Sequence, residues 1–217
     1  MAWKERRLAL TRLRFQAFGG RFRGRFHADF QGEEPQYQCT GNLKEISLAQ
    51  FLRTTTTLGE LFSGRLGADV VLQTTGRRPV DWRHNLQGTV AGVITDGRLT
   101  HIDLLAAMSA AAGLTRAGRT GEGATELQSL AGEFEIGERR VRFEGTRMIV
   151  DGAALELAGE VDFDAKINLR LRGELLRVAE AKRMSTLRRL FDSTYQLRGT
   201  LKEPSVRVLE TSSTAQP

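Results

Sequence analysis

The chain has 217 residues, 40% of them hydrophobic and 27% charged, the make-up of a single globular domain; this excludes a wholly disordered protein. Its 32 Lys and Arg outweigh 26 Asp and Glu, giving a net charge of +6 and a pI near 10.1, which permits an anionic partner without naming one. Cys39 is the single cysteine, so an internal disulfide is excluded, and no run of about 18 apolar residues offers a transmembrane helix.

Residues 1–12 read as a basic N-terminal segment, 13–209 as one domain and 210–217 as a polar, disordered tail. Behind Met1-Ala-Trp-Lys-Glu-Arg-Arg no apolar stretch makes a signal peptide. The expectation is either a cytoplasmic protein or a piece of a longer chain whose targeting segment lies upstream. Residues 13–30 predict a hairpin turning at Gly19-Gly20, with Phe22, Gly24, Phe26, Ala28 and Phe30 on one face and Arg21, Arg23, Arg25, His27 and Asp29 on the other. A strand over 36–44 leads to a short helix at 47–56, for which Ser47 is a candidate N-cap.

Strands follow at 62–74 and 86–95, and Asp96-Gly97 predicts a hairpin turn after them. Residues 102–114 form a nearly all-apolar helix, too short to span a bilayer, which must cover the sheet or lie against lipid. The Gly-rich stretch 115–125 reads as a solvated loop, since nothing around it has the strand-loop-helix frame of a phosphate cradle. Strands at 129–136, 140–150, 154–163 and 167–174 then make an antiparallel meander with short turns. A helix over 175–192, basic on much of its surface, precedes a last strand at 195–201, and Val206-Arg-Val208 closes the fold. The class is therefore mainly β (α+β): a curved antiparallel sheet forming an apolar groove, with about three helices at its edge or mouth.

One motif recurs at least eight times: an apolar residue, any residue, glycine, any residue, a second apolar residue. Examples are Phe22-Arg-Gly24-Arg-Phe26, Leu86-Gln-Gly88-Thr-Val90, Leu130-Ala-Gly132-Glu-Phe134, Leu157-Ala-Gly159-Glu-Val161 and Leu171-Arg-Gly173-Glu-Leu175. In a strand the glycine then lies between two apolar neighbours on one face. Such glycines serve either sheet curvature around a packed core or the close approach of a ligand such as an acyl chain. The candidate groove residues are Phe22, Gly24, Phe26, Phe30, Gly88, Val90, Phe134, Leu157, Gly159, Val161, Phe163, Leu171 and Gly173. In the helix at 175–192, Arg177, Lys182, Arg183, Arg188 and Arg189 are candidates for lipid head groups at a membrane surface, or simply a solvated face.

Catalytic and metal patterns are missing from the sequence. His27, His84 and His101 lie far apart with no partner at ligand spacing, and no nucleophile elbow or dinucleotide-binding fingerprint occurs. Asp162 and Asp164 straddle a turn and read as turn formers. The expectation is a protein that is not an enzyme and carries no cofactor.

Several strings, in order, resemble the C-terminal region of the AsmA-like family. They are Phe18-Gly-Gly-Arg-Phe-Arg-Gly24, the run from Leu43 to Leu52, and Leu86-Gln-Gly88-Thr-Val90 through Asp96-Gly97 to Ile102-Asp103-Leu104. Leu130-Ala-Gly132-Glu-Phe134, Gly159-Glu-Val161-Asp162-Phe163 and Gly199-Thr-Leu-Lys-Glu-Pro204 continue the series. The resemblance covers about residues 10–209. It implies an anchored inner-membrane protein with its body in the periplasm, a role in outer-membrane biogenesis, and kinship with bridge-like lipid transfer proteins. This chain lacks the family's anchor and most of its length, which suggests a C-terminal fragment or a reduced member. The expected partners are phospholipid, a membrane surface and another envelope protein. A closed-core structural or interaction module is the alternative. Nucleic acid is not expected, because the phenylalanines near Arg21–Arg25 face away from the arginines.

Overall fold

A computed structural model describes residues 2–4, 6–55, 58–114, 123–150, 153–175, 190 and 193–211. Twelve strands form one curved, open antiparallel sheet whose spatial order is the chain order. The first four are β1 (Ala2–Lys4), β2 (Arg7–Ala17), β3 (Gly20–Asp29) and β4 (Gln36–Ser47). Helix α1 (Leu48–Thr55) and a 3-10 turn (Leu58–Glu60) lead to β5 (Phe62–Thr75). Helix α2 (Pro79–His84), β6 (Gln87–Thr100), helix α3 (Leu104–Ala111) and β7 (Ala124–Gly137) follow. The meander continues with β8 (Arg140–Val150), β9 (Ala153–Asp162), β10 (Lys166–Leu175), β11 (Ser193–Thr200) and β12 (Pro204–Thr211).

Period-two patterning explains the sheet. In β9 and β10, Leu155, Leu157, Ile167, Leu169 and Leu171 are buried while Glu156, Lys166, Asn168 and Arg170 between them are exposed. The apolar face of nearly every strand joins a single core. Residues 7–12, read as part of a separate basic lead-in, supply the first half of β2 and pair with β3. The β2–β3 turn is one residue earlier than expected. Phe18 (φ 52°) and Gly19 (φ 74°) both take left-handed backbone, as a two-residue turn matched to strand twist requires.

Asp96-Gly97 is not a hairpin turn. Beyond it β6 runs on, with Gly97 opposite Leu127, Arg98 opposite Glu126 and Leu99 opposite Phe62. The left-handed Asp96 (φ 49°) is absorbed as a bulge, where β5 skips one residue between Ser63 and Arg65 and β6 skips two. Turn chemistry was read correctly, but a bulge uses the same residues inside a strand. The apolar helix is shorter than its pattern, 104–111 instead of 102–114. Helix α2 went unrecognised; Pro79 at its first turn and Asp81, whose carboxylate accepts from the Arg78 N–H at 3.1 Å, were its signals. Of the basic helix expected over 175–192, Leu175 instead ends β10 and, Leu190 apart, the rest lies outside the described residues, as do residues 115–122 of the loop and 212–217 of the tail.

Candidate functional site

Connections alternate between the two ends of the strands. At one end are α2 and the turns that follow β7, β9 and β11; at the other, beside the β2–β3 turn, α1 after β4 and α3 after β6 fold over the inner face. Helix α1 packs on β5 and β4, with Leu48 buried; Phe51 meets Phe18 of the β2–β3 turn edge-on at 5.6 Å. Helix α3 reaches across from β7 to β12. Its entry is fixed by Thr125 at the start of β7. The Thr125 hydroxyl accepts from the Leu104 N–H at 2.9 Å and donates to the Ile102 carbonyl at 2.8 Å, while the Asp103 carboxylate caps the Ala106 N–H at 3.0 Å. Leu104 and Met108 are thereby driven into the core.

Beneath these helices is a cavity of about 270 Å³. Twenty-one residues line it and all are apolar. Its walls come from β5 through β11, for example Leu66, Ile94, Leu130, Met148, Leu169 and Leu197, with Leu48 and Leu52 of α1 and Leu104 of α3 as its roof. On β11 Tyr195 is fully buried and its hydroxyl donates to the Leu190 carbonyl at 2.9 Å, so burial raises its pKa while the proton stays engaged. Such a space can exclude water and hold hydrocarbon, and it offers no polar group to a substrate.

A family model for the AsmA family matches residues 1–143. The chain belongs to the AsmA family. No curated protein and no solved structure gives a match. The matched span runs from β1 to the start of β8, so it includes one wall of the cavity and α1 to α3; β9–β11, which complete the other wall, follow it.

In this AsmA-family chain five of the expected groove residues line the cavity: Val90, Phe134, Leu157, Val161 and Leu171. Phe163 is half-buried just past the end of β9 and is not among the lining residues. The β3 residues sit elsewhere. Phe22 is buried, stacked on Phe15 at 5.0 Å, and Phe26 and Phe30 gather around Tyr37, which meets Trp82 of α2 at 5.4 Å. The inner face of β2–β4 is thus filled by its own rings, and the open volume begins at β5.

The glycines also separate. Space beside Gly24 is taken by Phe22, whose Cζ lies 2.6 Å from the place a β-carbon would occupy. Gly88 and Gly159 abut the backbones of β5 and β10, at Val71 and Asn168, and neither lines the cavity. Gly173 is half-buried in β10 opposite Leu155 and is likewise not a lining residue. Arg177, Lys182, Arg183, Arg188 and Arg189 lie outside the described residues. Roof residues such as Leu48, Leu52 and Leu104 were missed, because strand periodicity carries no information on which helix folds back over which strand. Among the described residues, no group of three or more His, Cys, Asp or Glu is placed to hold a metal ion, and no helix is long and apolar enough to cross a membrane.

Proposed function

We propose that this AsmA-family protein is a non-catalytic component of the bacterial cell envelope that shelters phospholipid acyl chains in its inner cavity, supporting outer-membrane biogenesis. The observation that carries the reading is the cavity of about 270 Å³ with a wholly apolar lining under a roof of two helices. Water entering this space would find no polar partner on its lining, so an apolar occupant suits it better than solvent. Hydrocarbon is the ligand class that such a lining accepts, because each buried methylene gains about 0.8 kcal/mol with no polar partner needed. Family membership supports a place on the periplasmic side of the inner membrane, where phospholipid must leave one bilayer to reach the next.

Native mass spectrometry of protein purified from a bacterial host tests the reading. Co-purified phospholipid, lost when the cavity is filled by substitution, is the expected result. Unliganded protein with an intact fold by circular dichroism would instead favour a closed-core interaction module, a reading to which the ring-filled inner face of β2–β4 lends some weight.

A further inference from the structure

On the outer face of β2–β4, away from the Arg7–Asp29 ion pair at one end, six basic side chains form a lattice. Arg14 of β2 lies directly opposite Arg23 of β3. Arg21 lies between Gln16 of β2 and Lys44 of β4. Arg25 faces a bulge in β2, where Thr11 and Arg12 both stand against it. Arg12, Arg14, Arg21, Arg23, Arg25 and Lys44 are all exposed. Ion pairs among the described residues use Arg7, Arg65, Arg78, Arg98, Arg139, Arg140 and Arg142; none involves the lattice. Neighbouring strands are roughly 4.8 Å apart and side chains on one face recur every ~6.8 Å, so the patch spans roughly 10 by 13 Å.

Like charges directly opposed across strands destabilise a sheet. Here that cost is taken at Arg14 with Arg23, Arg12 adds a further cation at the bulge beside Arg25, and no ion pair among the described residues offsets them. We infer that this face is a docking surface for an anionic phospholipid membrane. A planar array of cations matches a planar array of phosphate head groups, which can move laterally to meet it. Nucleic acid fits less well: Phe15, Phe22 and Phe26 alternate to the opposite face, leaving nothing on this one to stack on bases. A three-stranded face is also too broad for a duplex groove that admits a helix or a two-stranded ribbon. The inference does not rest on what fills the cavity, since the lattice lies on the other side of the sheet.

The test is sedimentation of the full chain with vesicles of phosphatidylethanolamine containing phosphatidylglycerol, compared with vesicles of phosphatidylcholine alone. Binding should need the anionic lipid and fall as salt rises. Arg14→Gln, Arg23→Gln and Arg25→Gln together should cost on the order of a hundredfold in partitioning, about fivefold for each cation removed. The same three changed to Lys should keep most of it. A matched triple on the far flank, Arg170→Gln, Arg172→Gln and Arg207→Gln, removes equal charge and should cost much less. Equal losses from the two Gln triples would reduce the effect to net charge and overturn the inference. So would indifference to phosphatidylglycerol, or retention on DNA or an acidic protein in preference to vesicles. Lipid content of the cavity, read separately by native mass spectrometry, can fail while vesicle binding holds, and the reverse.

Discussion

The ring of Phe22 lies across Gly24: its Cζ is 2.6 Å from the point where a side chain on that glycine would begin, and 2.6 Å from the same point on Gly41 of the next strand. Two missing side chains make the bed for one phenylalanine. Gly24→Ala is therefore expected to lower stability by about 1–3 kcal/mol, the cost of overpacking. Bound phospholipid should be unchanged. A thermal melt paired with lipid quantification decides it, and loss of lipid at constant melting temperature would reopen Gly24 as a ligand contact.

Gly159 has φ 130°, a conformation that L side chains rarely adopt, and its missing side chain points at the backbone of β10. Gly159→Leu should destabilise by at least the ~1–3 kcal/mol of local strain, chiefly through β9–β10 pairing. Hydrogen exchange across residues 153–175 is the measurement. A variant that keeps native protection there while losing lipid would show that the position faces the cavity after all.

Filling the cavity requires lining residues. Val90 and Val161 are half-buried on its wall, and a phenylalanine at either would occupy part of its volume. Val90→Phe with Val161→Phe should cut phospholipid content severalfold with little change in melting temperature, because the added rings enter empty space. A drop worth ~1–3 kcal/mol with lipid unaltered is the closed-core result.

Thr146 is fully buried, and its hydroxyl has no hydrogen-bond partner among the described residues. It sits where β8 bulges against both neighbours, facing Gly132. An unmade buried hydrogen bond costs about 1–3 kcal/mol, so Thr146→Val, of nearly the same shape, should hold or raise the melting temperature. Destabilisation by this change would reveal an ordered water on the hydroxyl.

Asp81 caps α2, and its carboxyl is held below the usual range first by the side-chain hydrogen bond from Arg78, with further help from the Arg78 backbone. A depressed carboxylate contributes stability that is complete above its ordinary value of 3.8 and is lost as pH falls through its lower folded value. Trp82 on the same helix donates its indole N–H to the Gly76 carbonyl at 2.8 Å. In a Trp3→Phe background, Trp82 fluorescence should stay constant from neutral pH down to about 4 and change only below it. A transition well above pH 4 would overturn Asp81 as the controlling group.

Strand periodicity made most of the sheet legible from residue order alone: the meander from 129 to 174 falls within a few residues of β7–β10, since alternation there is uninterrupted. A smaller part of the site was legible for the same reason. Leu157, Val161 and Leu171 line the cavity because inward-facing residues of a curved sheet must. Phe22 and Phe26 obey the same alternation and yet fill space instead of framing it. What separates the two groups is bulk: β2–β4 and α2 bring enough aromatic volume to close their stretch of the inner face, whereas the walls of β5–β11, mostly aliphatic with Phe62, Phe134 and Phe143 among them, do not meet. Volume balance across a sheet depends on its curvature, and no local pattern encodes that. Asp96-Gly97 failed for a different reason, because a bulge and a turn ask for the same left-handed residue.

Strict adjacency of the twelve strands makes the architecture extensible. No strand is inserted between earlier ones, so each hairpin depends on its predecessor for pairing and leaves a fresh edge for its successor. Duplicating or deleting one hairpin would lengthen or shorten the trough by roughly 10 Å, two inter-strand spacings, while leaving every remaining register intact. Selection could then set the trough's reach by hairpin number, independently of the side chains that line it.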